Sequence, residues 1–321
     1  MNLIEFESKL NEWGQAQVPF LFLLDFEMEM PVAWPISEIP SEILFSIDGY
    51  TNAGTPDREI EVVLKKYPVS MAGYKSKFDS VKNHISVGDS YLTNLTIKTK
   101  IDLTPGLEEL FLQASAKYKV FWKNRFLVFS PETFVRTEDG KIFSYPMKGT
   151  IDASIPNAKE IILNDQKELA EHVTIVDLIR NDLSRVASDV VVKRFRYTEK
   201  IRTNQKDLLQ VSSEICGRLP YYYHSTIGSI IISLLPAGSV SGAPKNKTLQ
   251  IIREAEKEKR GYYTGVVGYF DGKNLDSGVM IRFIEQNKDR FYYRSGGGIT
   301  SQSKSESEYQ EAIDKIYVPV H

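Results

Sequence analysis

Two stretches of this sequence share an acidic spacing, Glu168-Leu-Ala-Glu171 and Glu308-Tyr-Gln-Glu311. Residues three apart lie on one helical face, so on helices each pair would present its carboxylates together. Two such faces across a pocket would suit a hard cation. Mg²⁺ fits, since it takes a few carboxylates and keeps positions for water or substrate oxygens. A plainer reading stands beside this one. Acidic residues in a first helical turn favour the dipole, and Glu168 and Glu308 sit three residues after the capping candidates Asp165 and Ser305. Capping would engage Glu168 and Glu308 and leave Glu171 and Glu311 freer to face a metal.

Ser295-Gly-Gly-Gly-Ile299 could bring backbone N–H groups against an anion, though such a run is more often a tight turn and lacks the dinucleotide spacing. Lys148, in Pro146-Met-Lys-Gly-Thr150, reads alone as a solvated lysine beside a turn. His84, His172 and His224 show no ligand spacing and read as core or surface residues, and no Ser-His-Asp order or Cys-x-x-Cys pair occurs.

Elements must position these groups. Strand-like runs occur at Phe20–Phe26 and Ile43–Ile47, with a helix near Lys75–His84. From Lys119 to Thr150, runs of Val, Phe and Tyr broken by Lys123-Asn124 and Glu138-Asp139-Gly140 predict an antiparallel meander. After Asp165, the residues Leu169, Val173, Val176 and Ile179 fall on one helical face. Leu208–Leu219, with Cys216, reads as a buried helical stretch. Two helices flank Pro236–Lys245, the second running from Pro244 to Gly261. Strands are expected at Gly265–Phe270, Leu275–Glu285 and Phe291–Arg294, then a helix capped by Ser305. Strands and helices cluster rather than alternate, which predicts an α+β fold.

The 321 residues can bury a large core, and no linker or repeat divides them. A net charge of −2 gives nucleic acid no attracting field, and a single cysteine, Cys216, suits a reducing compartment. The acidic start lacks signal-peptide order and the apolar runs are too short to cross a bilayer, so a cytoplasmic protein with no membrane partner is expected.

Read in order, the motifs resemble the chorismate-utilising enzymes, which include anthranilate, aminodeoxychorismate, isochorismate and salicylate synthases. The matching stretches are Gly88–Thr96, Ser130–Phe134, Pro146–Thr150, Asp165–His172 leading into Ile175–Leu183, Gly238–Lys245, Arg260–Tyr269, Ile281-Arg282, and Gly296–Gly298 with Glu308–Glu311. They cover the chain from about residue 75 to its end, with residues 1–74 a short N-terminal part of the same domain. The resemblance implies one large α+β domain of two stacked, antiparallel-rich sheets flanked by helices.

It further implies Mg²⁺ on Glu171 and Glu311, with Glu168 and Glu308 close by. Gly149, Thr150 and Lys315 would assist at the ring carboxylate of chorismate. Tyr263, Arg282 and the backbone of Gly296, Gly297 and Gly298 would hold the enolpyruvyl carboxylate, a guanidinium suiting two carboxylate oxygens. Catalysis would rest on Lys148, Glu132 and Ser239. Pro-Met-Lys-Gly-Thr is similar to the aminodeoxychorismate synthase component I pattern, where anthranilate synthases carry alanine at the lysine. Lys148 would add to the ring as Glu132 protonates the leaving hydroxyl, and ammonia would displace the lysine. The ammonia would come free or from a glutamine amidotransferase subunit, and the product would feed p-aminobenzoate and folate. Such a lysine must be neutral and such an acid protonated, so both need desolvated surroundings.

Three departures qualify the resemblance. Leu92 stands where isochorismate and salicylate synthases have a water-activating lysine. Gln210 stands where anthranilate synthases, and several aminodeoxychorismate synthases, have histidine. The opening segment lacks the Leu-Leu-Glu-Ser stretch tied to tryptophan binding. The alternatives are anthranilate synthase component I and a non-catalytic chorismate-binding homologue.

Overall fold

Burial follows strand periodicity. Ile43, Phe45 and Ile47 are buried and their neighbours half-buried, whereas Phe20–Leu24 is buried throughout because its sheet is covered on both faces. The computed structural model describes residues 1–56, 61–201 and 207–320. Its strands form two antiparallel sheets. The first runs Met147–Asp152, Leu208–Arg218, Lys141–Ser144, Thr133–Glu138, Leu275–Val279, Val266–Phe270, Phe20–Leu24 and Val32–Pro35 in spatial order, with Ser188–Ile201 also on Leu208–Arg218. The second runs Gly242–Ala243, Leu92–Thr104, Arg290–Ile299, Phe283–Asn287, Phe126–Ser130, Tyr118–Trp122, Ile43–Ile47 and Tyr50–Thr51, with Val63–Tyr67 also on Leu92–Thr104.

The sheets stack through Leu21, Leu23 and Val267 against Phe45, Val120 and Val128. Helices Leu3–Gln15, Gln166–Leu183 and Ile227–Leu234 cover the outer face of the first sheet, burying Phe6, Leu10, Ile175 and Ile231. Helices Met71–Ser86, Lys245–Glu256 and Ser305–Asp314 cover the second through Phe78, Ile251 and Ala312. This is the α+β arrangement expected. Phe20–Leu24 pairs with Val266–Phe270, so the opening residues are built into the same sheet as the C-terminal half. Among the described residues no helix is long and apolar enough to cross a membrane.

Five local expectations give way. Leu208–Arg218 is a strand, not a helix, because partners on both edges use its backbone and its Val, Ile and Ser residues fit a pleated surface. Cys216 is buried there as a core residue, its thiol pKa raised by burial. Leu275–Glu285 is two strands in different sheets, parted at Met280–Arg282. The strand from Arg290 runs through the three glycines to Ile299, since Leu92–Thr104 pairs with it along that length. Val173 is exposed, and the buried helix face is His172, Ile175, Val176, Ile179 and Leu183. The helix expected to reach Gly261 ends at Glu256, with Lys257 left-handed at its C-cap.

Candidate active site

The chain passes from the second sheet to the first at Pro131-Glu132 and back again at Met280–Arg282. These crossings lie side by side. The Val279 N–H donates to the Glu132 carbonyl at 3.0 Å, and the Phe129 N–H to the Arg282 carbonyl at 3.2 Å. Burial pushes the Glu132 carboxyl pKa up. A hydrogen bond from the Ser239 hydroxyl and the charges of Lys148, Arg282 and Lys315 oppose that without reversing it.

Ser239 is carried by the loop that Gly242-Ala243 pins to Leu92-Thr93. Gly242 is required there, because a Cβ would lie 1.9 Å from the Leu92 carbonyl oxygen and φ is +146°. Buried Arg260 fastens the same loop, donating to the Val240 and Asn94 carbonyls at 2.8 Å each.

Arg282 holds a left-handed backbone, φ 53°. One guanidinium nitrogen donates to the Lys315 carbonyl at 3.0 Å, and its buried Nε has no partner among the described residues, which leaves a donor for an anion. Tyr263 is buried, its phenol pushed up to about 12 by burial, so it stays a neutral donor.

Lys148 sits on a bulge. The pairing of Met147–Asp152 with Leu208–Arg218 slips between Met147 and Thr150, around Gly149 at φ +83°. Thr150 is exposed and lies opposite Gln210. The Lys148 ammonium is 4.0 Å from Glu171 and 3.5 Å from where a Cβ on Gly298 would stand. Buried Leu92 is the other neighbour of that Cβ, at 2.8 Å, so an aliphatic wall takes the place of a water-activating base.

The glycine run is what makes room. Phe283 pairs with Arg294, so past Arg294 the strand has, among the described residues, a sheet partner only on its Leu92–Thr104 side. A Cβ on Gly297 would meet Glu311, Lys315 and Glu308 at 3.4, 3.5 and 3.6 Å, and one on Gly149 would meet Glu168 at 3.1 Å. Lys315 donates to the Gly296 carbonyl at 3.0 Å and pairs with Glu311 at 2.6 Å.

All four glutamates therefore border one region, but not as capping predicted. Asp165 caps the Glu168 N–H at 3.0 Å, while the Glu168 carboxylate turns to Gly149. Ser305 is the first helical residue rather than the cap, and Glu308 is buried in the site. Burial raises the pKa of Glu168 and Glu171. Burial acts upward on Glu311 too, but Lys315, Lys148 and Lys167 together outweigh it and hold the carboxyl low. Burial lowers Lys315 against the pull of Glu311.

These are hard oxygen donors of the kind Mg²⁺ takes, so the residues fit such an ion. Among the described residues no three of them meet at ligand spacing. Lysines lie between them instead.

One feature, Lys167, had no role assigned from the sequence. Lys167 bridges Glu171 at 3.8 Å and Glu308 at 3.6 Å, and its spacing of four from Glu171 was the available signal. His172 takes the core role expected, with Nε2 2.7 Å from the Ser213 hydroxyl. Burial, then Arg196 and Lys148, push its pKa down to about 4.

Residues 45–321 match the family of chorismate binding enzymes, and the chain belongs to that family. It is a chorismate-utilising enzyme by family. It is 49% identical to an uncharacterized PabA-like protein of Pasteurella multocida over 100% of both chains. It is 33% identical to aminodeoxychorismate synthase component 1 of Salmonella typhimurium, over 77% of this chain and 57% of that one. Among solved structures, anthranilate synthase component I of Streptococcus pneumoniae aligns with a TM-score of 0.68 at 28% identity, covering 79% of this chain and 58% of that chain. The chain thus spans a little over half the length of these two synthases.

Proposed function

We propose that the chain aminates chorismate to 4-amino-4-deoxychorismate, as an aminodeoxychorismate synthase component I on the route to p-aminobenzoate and folate. The observation that carries this reading is the placement of Lys148. A bulge aims its amine at the space opened by Gly298, near enough to Glu132 for its charge to act on that carboxyl.

In this reading the Lys148 amine forms a bond to C2 of the ring. Both ring double bonds shift by one position, C1=C2 to C1=C6 and C5=C6 to C4=C5, and the C4 hydroxyl leaves as water, taking the proton that Glu132 holds. Ammonia then bonds to C4, both double bonds shift back, and the lysine departs as its C2 bond breaks, taking up the surplus proton of the new C4 nitrogen. Ser239 orients Glu132. Arg282, Tyr263 and the backbone of Gly296–Gly298 would bind the enolpyruvyl carboxylate. Glu171 and Glu311, with Glu168 and Glu308, would hold Mg²⁺, which when bound supplies positive charge at the ring carboxylate. Gly149, Thr150 and Lys315 would line that end. Ammonia would arrive free or from an amidotransferase partner, because Cys216 is a buried core thiol and offers no glutaminase nucleophile.

The test is incubation with chorismate, ammonium and Mg²⁺. Chorismate should be consumed without fluorescence, and p-aminobenzoate should form only after the lyase is added. Direct anthranilate fluorescence would assign the chain to the anthranilate branch, and unconsumed chorismate would make it a binding protein.

A further inference from the structure

Three ammonium groups, on Lys148, Lys167 and Lys315, lie against Glu171, Glu308 and Glu311. Two are tied into the site by more than charge. Lys148 is aimed by its bulge, and Lys315 donates to the Gly296 carbonyl.

Lys167 is held differently. Its Nζ lies 3.8 Å from Glu171 on its own helix and 3.6 Å from Glu308 on the last helix, beyond hydrogen-bond length in both cases. Charge alone keeps it there. Its side chain is 44% exposed, so it reaches in from solvent, whereas Glu171 and Glu308 are 12% and 4% exposed. Carboxylates so far from water need a counter-charge. A monovalent group standing between acids from two helices occupies the ground a divalent ion would take.

We propose that Lys167 is a placeholder cation, neutralising Glu171 and Glu308 until a divalent ion takes them, and then turning out into solvent. The proposal rests on the reading that these glutamates hold Mg²⁺. A lysine that leaves on loading keeps the two inner carboxylates from repelling each other beforehand, so the helices at Gln166 and Ser305 stay in place for the incoming ion.

The test uses the full chain and needs no turnover. Acetylation of Lys167 by acetic anhydride, followed by peptide mass mapping, is compared in saturating Mg²⁺ and in chelator, with exposed Lys9 as reference. Lys167 should react severalfold faster with the ion, and Lys9 equally in both. In parallel, Mn²⁺ binding is read from the electron paramagnetic resonance of the free ion. Lys167→Met should tighten binding by roughly tenfold at most. Lys167→Arg should weaken it, because a guanidinium forks onto carboxylates and yields less readily. Simple repulsion between fixed charges predicts instead that Lys167→Arg matches the unmodified chain. Bound Mn²⁺ with unchanged Lys167 labelling, or an arginine variant that matches the unmodified chain, would overturn the placeholder role alone. Absence of Mn²⁺ binding in every form would overturn the metal reading as well.

Discussion

Glu132 and Arg282 stand at two of the points where the chain changes sheets, and backbone hydrogen bonds to their carbonyls fasten these two points together. The acid and the guanidinium are thereby placed by strand pairing rather than by a loop, which suits groups that must hold a fixed geometry.

The cost falls on Arg282, a non-glycine residue in the left-handed region at φ 53°. Arg282→Gly should therefore be more stable than Arg282→Ala, by on the order of 1 kcal/mol, while both lose substrate affinity. Urea unfolding and chorismate titration of the two variants check this. Equal stability would remove the strain argument and leave the binding role intact.

Ser239 opposes the upward pKa shift that burial imposes on Glu132. The proposed reaction needs the protonated acid, so rate should fall as pH rises through the Glu132 pKa. Ser239→Ala removes a hydrogen bond to the carboxylate form, raises that pKa further and should move the alkaline limb to higher pH. A lower maximal rate should accompany the shift, because the carboxyl also loses its orienting partner. An unmoved alkaline limb would assign it to another group.

The fold class and most strands were legible because alternation and turn chemistry report local structure well. What could not be read was mostly set by tertiary partners. Leu275–Glu285 reads as one strand since nothing in Met280-Ile281-Arg282 signals a change of sheet. Leu208–Arg218 reads as helical until strands are found on both of its edges. The site was legible through ordered motifs, not through spacing. Capping arithmetic misplaced Glu308, because Lys304 rather than Ser305 occupies the cap. Lys167 sat inside a quoted motif, yet its contact with Glu308 crosses from one helix to another and leaves no local mark.

His172 is fully buried, and its pKa of about 4 lies below the ordinary value of 6.5. A histidine pKa depressed by folding means the neutral ring is favoured in the native state. Its stabilising contribution is complete above pH 6.5 and is lost as pH falls from there toward 4. The loss at pH 4 should approach about 3 kcal/mol. Denaturant unfolding across this window should show a steeper decline for the unmodified chain than for His172→Gln, which cannot titrate. Parallel curves would mean that another group dominates acid sensitivity.

The four site glutamates give a fourth expectation. Glu171→Gln and Glu311→Gln should nearly abolish turnover and raise the Mg²⁺ concentration needed for what remains. Glu308→Gln should be as damaging, because that side chain is 4% exposed, faces the Gly297 backbone and serves no cap. Glu168→Gln should cost less, since Asp165 still caps its backbone and the larger part of the acidic cluster survives. Mg²⁺ titrations of the four variants settle the order, and a Glu308 variant with ordinary Mg²⁺ dependence would restore the division that capping suggested.

The sharpest expectation concerns Lys148. If its amine adds to the ring, chorismate without ammonia should leave an enzyme species heavier by chorismate less one water. Peptide mapping should place that mass on the segment holding Pro146–Thr150. Ammonium should then discharge it, since ammonia completes the second displacement. Lys148→Ala should lose the adduct and lower the aminating rate by roughly a hundredfold or more, the scale of losing a group that takes part in bond making. Chorismate affinity should largely persist, because Arg282 and the glycine strand are untouched. The neighbourhood is consistent with this test. Glu171, 4.0 Å away, holds the ammonium in the resting site, and engagement of that carboxylate by an ion would loosen the hold. An alanine variant of full rate, or a chain that never accumulates the adduct, would confine Lys148 to stabilising charge and return the anthranilate-type direct displacement to consideration.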